Sequence, residues 1–182
     1  MKKRKTGSQK AYERLMKEGD KWSVILYSSL VIAMKRYWGK RKTAAMRLID
    51  TTWEVWRDCA KDSDSSMIKM CETETGIEIQ NGDGVSWRDV VYLNGGDPGQ
   101  MTDAQWLYMR QQQIKWVRPN IIACIMVGLH RKYHFGFDRC STIYHQIIDI
   151  EQEFNDDPKK LNQAAIDEVG VNISELLHEV RS

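Results

Sequence analysis

Trp22-Ser23-Val24-Ile25-Leu26-Tyr27-Ser28-Ser29-Leu30-Val31-Ile32-Ala33-Met34-Lys35-Arg36-Tyr37-Trp38-Gly39 is the stretch on which the fold class turns. Trp22, Ile25, Leu26, Ser29, Leu30, Ala33 and Tyr37 recur at steps of three and four, which places them on one face of an α-helix. Gly39 is the natural end of that helix, because glycine takes the left-handed C-terminal position without steric cost. The apolar run within it, 11 residues over 24–34, is far short of the roughly 20 needed to cross a bilayer, as is the 9-residue run 121–129. Both predict buried helices, with no membrane partner.

Working outward, Ala45, Met46, Ile49, Trp53 and Trp56 repeat the helical period, and the turn residues 62–66 supply N-caps for a short helix bearing Met67, Met70 and Cys71. Gly76 closes that helix, and Ile77-Glu78-Ile79 alternates like a brief extended piece. Residues 80–101 hold two clusters of turn formers, Asn81-Gly82-Asp83-Gly84 and Asn94-Gly95-Gly96-Asp97-Pro98-Gly99, and are expected to link two units. Between the clusters, residues 85–93 fit either a strand or a short helix. Thr102 and Gln105 then have the spacing of a capping box, opening a helix expected to end or bend before Pro119.

From Pro119 the pattern restarts. Ile122, Ile125, Met126, Leu129 and Tyr133 form a stripe ending near Gly136; Ile143, Ile147, Ile150 and Phe154 form another. Asp157-Pro158 caps a helix through Leu161, Ala165 and Val169 to Gly170, and Ser174 begins a last short one. The two halves share an order of parts: long helix, glycine turn, amphipathic helix, acidic turn, short helix, glycine, alternating tail. Val31 to Tyr37 matches Val127 to Tyr133 in type, and Thr75-Gly76-Ile77-Glu78-Ile79 matches Val169-Gly170-Val171-Asn172-Ile173. The expectation is an all-α protein with minor β at most. It has a basic segment 1–21, a first helical unit 22–79, a glycine-rich linker 80–101 and a second unit 102–182.

Charge is the most informative feature for function. The chain of 182 residues is 42% hydrophobic and 29% charged, which excludes a disordered tail or a membrane span as its main body. Its net charge of +2 conceals a division: residues 1–47 carry 14 Lys or Arg against 3 Asp or Glu, leaving 13 against 22 in residues 48–182. A basic head of this kind can neutralise phosphates or an acidic protein surface, while the remainder repels nucleic acid. Lys2-Lys3-Arg4-Lys5 is not followed by the apolar segment of an export signal, and Cys59, Cys71, Cys124 and Cys140 lack paired spacing, so a reducing cytoplasm is expected.

Within the basic head, Lys35, Arg36, Lys40, Arg41, Lys42 and Arg47 surround the glycine turn, with Tyr37 and Trp38 interleaved. Such a cluster can hold phosphates by charge while its rings stack on exposed bases. Alternatively, Tyr37 and Trp38 pack into their own helix pair. A helix-turn-helix reader is conceivable at either turn, although Arg139 alone makes the second a poor recognition helix. Other chemistry is weakly signalled. His130 and His134 have the i, i+4 spacing of metal ligands, with Cys124, Cys140 and His145 nearby, yet no glutamate follows the first histidine and no zinc module is matched. Gly39-Lys40-Arg41-Lys42-Thr43 lacks the upstream glycine of a phosphate loop, Asp83, Asp89 and Asp97 are ordinary turn residues, and no constellation marks a nucleophile and its base. No cofactor, metal or enzymatic activity is expected.

Four segments carry a wider resemblance: Lys2-Lys3-Arg4-Lys5, Tyr37-Trp38-Gly39-Lys40-Arg41, Tyr133-His134-Phe135-Gly136-Phe137 and Asn155-Asp156-Asp157-Pro158. Together with the layout of the whole chain they resemble the phage-encoded type II-A anti-CRISPR proteins. The resemblance implies a small non-catalytic inhibitor that binds a guide-RNA-loaded type II CRISPR nuclease and impairs its use of target DNA. It supplies no contact residues. A phage or plasmid DNA-binding accessory protein using the basic half directly, or a purely structural interaction module, remains open on the sequence.

Overall fold

The computed structural model describes residues 6–61, 67–80 and 102–179. They form seven helices: α1 (Gly7–Trp38), α2 (Lys42–Lys61), α3 (Met67–Thr75), α4 (Asp103–Tyr133), α5 (Phe137–Glu153), α6 (Pro158–Val169) and α7 (Ile173–Glu179). The all-α class therefore stands, with no strand among the described residues. The linker expected at 80–101, apart from Gln80, and the turn 62–66 lie outside them. None of the helices described is long and apolar enough to cross a membrane.

Local chemistry sets the helix ends. Thr6 accepts the amide of Gln9 while the Gln9 side chain accepts the amide of Thr6, so α1 begins fifteen residues before Trp22, inside the segment set apart by its charge. Thr102 and Gln105 build the same reciprocal box at the start of α4. Asp157 Oδ1 accepts the amides of Lys159 and Lys160 ahead of Pro158, and this holds its carboxyl below the ordinary range. Gly39, Gly76 and Gly170 all sit in the left-handed region, at φ of 59°, 74° and 76°.

One expectation is corrected. The helix expected to end or bend before Pro119 does not end there: α4 continues through the proline to Tyr133. Proline removes one amide donor at a cost of about 3 kcal/mol, and α4 offsets that with burial along nearly its whole second half. Asn120 Nδ2 also donates to the Trp116 carbonyl one turn back, at 2.8 Å.

The long helices α1 and α4 run parallel at the centre. From one end to the other, Gly7 faces Leu107, the Arg110 guanidinium lies over Tyr12 (4.9 Å), Arg118 lies over Trp22 (5.4 Å) and Trp38 meets Phe135. The shorter helices cross between halves: α2 and α3 pack chiefly on α4, while α5 and α6 pack on α1. One apolar core results, with Leu26, Leu30, Leu48 and Ile68 from the first half joined to Ile122, Met126, Ile147 and Leu161 from the second. Gly128 lets α4 approach α2 closely, since a Cβ there would lie 2.7 Å from Thr52 Cγ2.

The packing is reciprocal. Arg36 on α1 grips Glu168 on α6 (Nε–Oε2 2.8 Å, Nη2–Oε1 2.5 Å) and Glu153 at the end of α5 (2.6 Å). Arg131 on α4 grips Glu74 on α3 (2.7 and 3.1 Å) and Asp58 on α2 (3.2 Å). The left-handed caps of the long helices, Gly39 and His134, stand the same distance apart in sequence as these two arginines. They align Arg36 with Arg131, one residue away from the pairing that residue type alone suggests. The tails behave alike too: Ile77 and Ile79 are buried around exposed Glu78, as Val171 and Ile173 are around exposed Asn172.

Candidate nucleic-acid or partner interface

Because α1 and α4 are parallel, their C-terminal turns arrive side by side at one end of the molecule. The first turn is closed by Gly39, whose amide donates to the Lys35 carbonyl (3.1 Å) while that of Lys40 donates to Met34 (3.0 Å). The second is closed by His134, donating to His130 (2.8 Å) at φ 54°. An aromatic seam joins them: Trp38 stands edge-on to Phe135 at 5.6 Å, and Phe135 stacks on Tyr133 at 5.4 Å. Trp38 Nε1 donates to Gln146 Oε1 (3.2 Å), and the Tyr133 hydroxyl lies 3.4 Å from the Ala44 carbonyl. Burial raises the Tyr133 hydroxyl pKa above its ordinary value, and Arg47 opposes that shift.

The eight residues of the basic cluster have different placements. Lys35, Lys40, Arg41, Lys42 and Arg47 are exposed, and among the described residues no carboxylate pairs with them. Lys40 Nζ lies 6.0 Å from the centre of the Tyr133 ring. Tyr37 is exposed, whereas Trp38 is half-buried and packs across the seam against Phe135 of the other half. Arg36 is the exception. Held by two carboxylates, its guanidinium is pushed further above its already high pKa, chiefly by Glu168, and it serves the fold.

The sequence did not reveal that the second turn shares this end. Lys132, His134 and Arg139 are exposed there, and Arg139 lies over Phe135 at 5.4 Å. What makes the second turn look poor alone is irrelevant once both turns face the same way. The signal was present in the shared order of parts around the two turns, an apolar helix before each and an amphipathic helix after it. The direction of α4 relative to α1, which makes them neighbours, is a tertiary property.

The residues weighed for other chemistry sit elsewhere in purpose. His130 Nδ1 lies 2.8 Å from the Phe135 carbonyl, and Cys140 Sγ is 3.6 Å from the same oxygen, so both brace the second turn. Burial pushes the Cys71 thiol up to about 12 and that of Cys140 up to about 11, and raises Cys124 as well, which keeps them protonated and inert near neutral pH. Among the described residues no three His, Cys, Asp or Glu side chains are grouped to hold a metal ion. Asp83, Asp89 and Asp97 lie outside those residues. Comparison with known proteins adds no assignment: no family model matches the chain, and no curated protein or solved structure matches it.

Proposed function

We propose that this protein is a non-catalytic inhibitor that binds a guide-RNA-loaded type II CRISPR nuclease in the host bacterial cytoplasm and blocks target DNA binding or cleavage. The single observation that carries the binding surface is the paired end, where two turns present Lys35, Lys40, Arg41, Lys42, Arg47, Lys132 and Arg139 to solvent together. The nuclease as target rests on the resemblance in sequence. A nuclease of that class exposes guide-RNA phosphates beside a charged DNA channel, and a protein with a basic first part and an acidic remainder complements both. Occlusion of target DNA is the favoured mode.

The test is a titration of target cleavage against a fixed amount of guide-loaded nuclease. Inhibition completing near one equivalent is expected, because an inhibitor without turnover acts by occupancy. Full cleavage at roughly tenfold excess over several type II nucleases contradicts the proposal. Loss of target-DNA binding together with cleavage supports occlusion; retained binding with blocked cleavage points to trapped nuclease domains.

A second reading, a phage or plasmid DNA-binding accessory protein, is favoured by one further feature. Lys10, Arg14, Lys17 and Lys21 recur at steps of four, three and four along the first turns of α1, and all are exposed. On that reading duplex DNA is bound without any nuclease, and alanine at these four positions removes most of the affinity.

A further inference from the structure

We propose that the paired end is built for single-stranded nucleic acid rather than for a duplex, an inference that rests on the interface described above and specifies its ligand. The observation is an exchange of residue type between the two turns. With the left-handed caps Gly39 and His134 aligned, Tyr37 corresponds to Lys132, Lys40 to Phe135 and Lys42 to Phe137. At each of three equivalent places one turn carries a cation and the other an aromatic ring.

Two of those rings face solvent. Tyr37 is 51% exposed and Phe137 55% exposed, while Phe135 is half-buried in the seam. Phe137 stands at the first position of α5 against the elbow at Gly76, where a Cβ would lie 3.7 Å from its ring. Trp38, Tyr133 and Phe135 are accounted for by one another, by Gln146 and by Lys40 and Arg139. Tyr37 has no such contact, and Phe137 touches only the elbow at Gly76 with more than half of its surface in solvent; both belong to the turns that carry the exposed cations.

A duplex offers phosphates to a protein but keeps the faces of its bases in the stack, so exposed rings gain little from it. A single strand offers phosphates and open base faces together, and rings set among lysines and arginines satisfy both. Phosphate contacts would come from Lys35, Lys40, Arg41, Lys42 and Lys132, and stacking from Tyr37 and Phe137. Guide RNA and a displaced DNA strand share this chemistry.

The experiment measures binding of the full chain to a labelled oligonucleotide of about 12 nucleotides. It is supplied as single-stranded RNA, single-stranded DNA and blunt duplex of one sequence at one low salt concentration. Tighter binding of a single strand than of the duplex is expected, and the RNA and DNA arms show which source is preferred. Tyr37→Leu and Phe137→Leu, which keep apolar bulk without a ring, should each weaken single-strand binding by about 5- to 150-fold and leave its salt dependence unchanged. Tyr37→Phe should retain binding, separating loss of the ring from loss of the fold. Equal or tighter duplex binding, or leucine variants that bind a single strand as the parent does, overturns this inference alone. Binding of neither nucleic acid overturns it together with the nucleic-acid role of the paired end.

Discussion

Arg36 and Lys40 lie one turn apart in sequence on the same basic cluster and have opposite fates. On the flank of the molecule, Arg36 and its counterpart Arg131 are clasped by two carboxylates each, locking the short helices of one half onto the long helix of the other. At the end, the cations beside them meet solvent. The difference is one of reach. A side chain pointing across a helix–helix seam finds the acidic ends of α3, α5 or α6, whereas one turned to solvent beside or beyond the left-handed cap finds no carboxylate among the described residues. Charge counted along the chain therefore overstates the exposed cluster by its clasps: the flank serves the fold, while the end is the proposed binding surface.

That division predicts which substitutions act on which property. The largest loss of stability should come from the seam itself: Gly128→Val forces a branched side chain into the 2.7 Å approach to Thr52 and should cost about 1–3 kcal/mol in chemical denaturation. A cost near zero would show that α2 and α4 are not so closely packed. Next, Arg36→Met and Arg131→Met should each cost on the order of 1 kcal/mol, discounted because both arginine side chains are about one third exposed (32% and 34%). Their effects should be similar, and neither should weaken nucleic-acid binding at temperatures where the variant is folded. A stable Arg36→Met that loses binding would move Arg36 from the flank to the end.

The two caps sharpen the comparison further. Gly39→Ala places a side chain at φ 59° and should destabilise by about 1 kcal/mol, whereas His134→Gly relieves a residue already at φ 54° and should stabilise by up to a similar amount. Thermal denaturation of both variants checks the signs. Opposite signs are required by like geometry with unlike residues.

Acid titration separates two carboxylates of the flank. Burial raises the Glu151 pKa above its ordinary 4.5, with Arg118 pulling the other way through a 2.6 Å pair. The folded state thus holds that proton more tightly than the unfolded chain. Its stability contribution is present at low pH and lost as pH rises through the raised value. Glu168 is the reverse: Arg36 lowers its pKa, so its contribution is present above 4.5 and lost as pH falls through the depressed value. Relative to the parent, Glu151→Gln should gain stability, and Glu168→Gln lose it, as pH rises from the acid limb towards neutrality. Denaturation midpoints at several pH values decide; parallel curves for both variants would refute the assignment.

The legible part of this fold was its local chemistry. Thr102 with Gln105, Asp157 with Pro158 and the three glycine caps act within a turn of themselves, and each behaves in the structure as its sequence spacing implies. What was not legible depended on partners distant in sequence. Pro119 breaks isolated helices, but here α4, buried among the surrounding helices, continues through it. Residues 7–21 look like a charged lead-in, yet a capping box at Thr6 and the neighbouring α4 make them helix. The site divides the same way: the cations around Gly39 stand out in sequence, while the capture of Arg36 by Glu153 and Glu168, and the arrival of Tyr133 beneath Lys40, follow only from the parallel placement of two helices.

The most direct measurement compares three variants in one cleavage assay with a guide-loaded type II nuclease, each checked for folding by circular dichroism. One replaces Lys40, Arg41 and Lys42 by alanine, one replaces Lys132 and Arg139, and one replaces Lys10, Arg14, Lys17 and Lys21 along α1. If the paired end is the working surface, the first two should require excess over the nuclease to inhibit, with salt slopes reduced by up to about one unit per lost phosphate contact, and the third should inhibit like the parent. Inhibition near one equivalent by both end variants, with loss only in the α1 stripe variant, would contradict it.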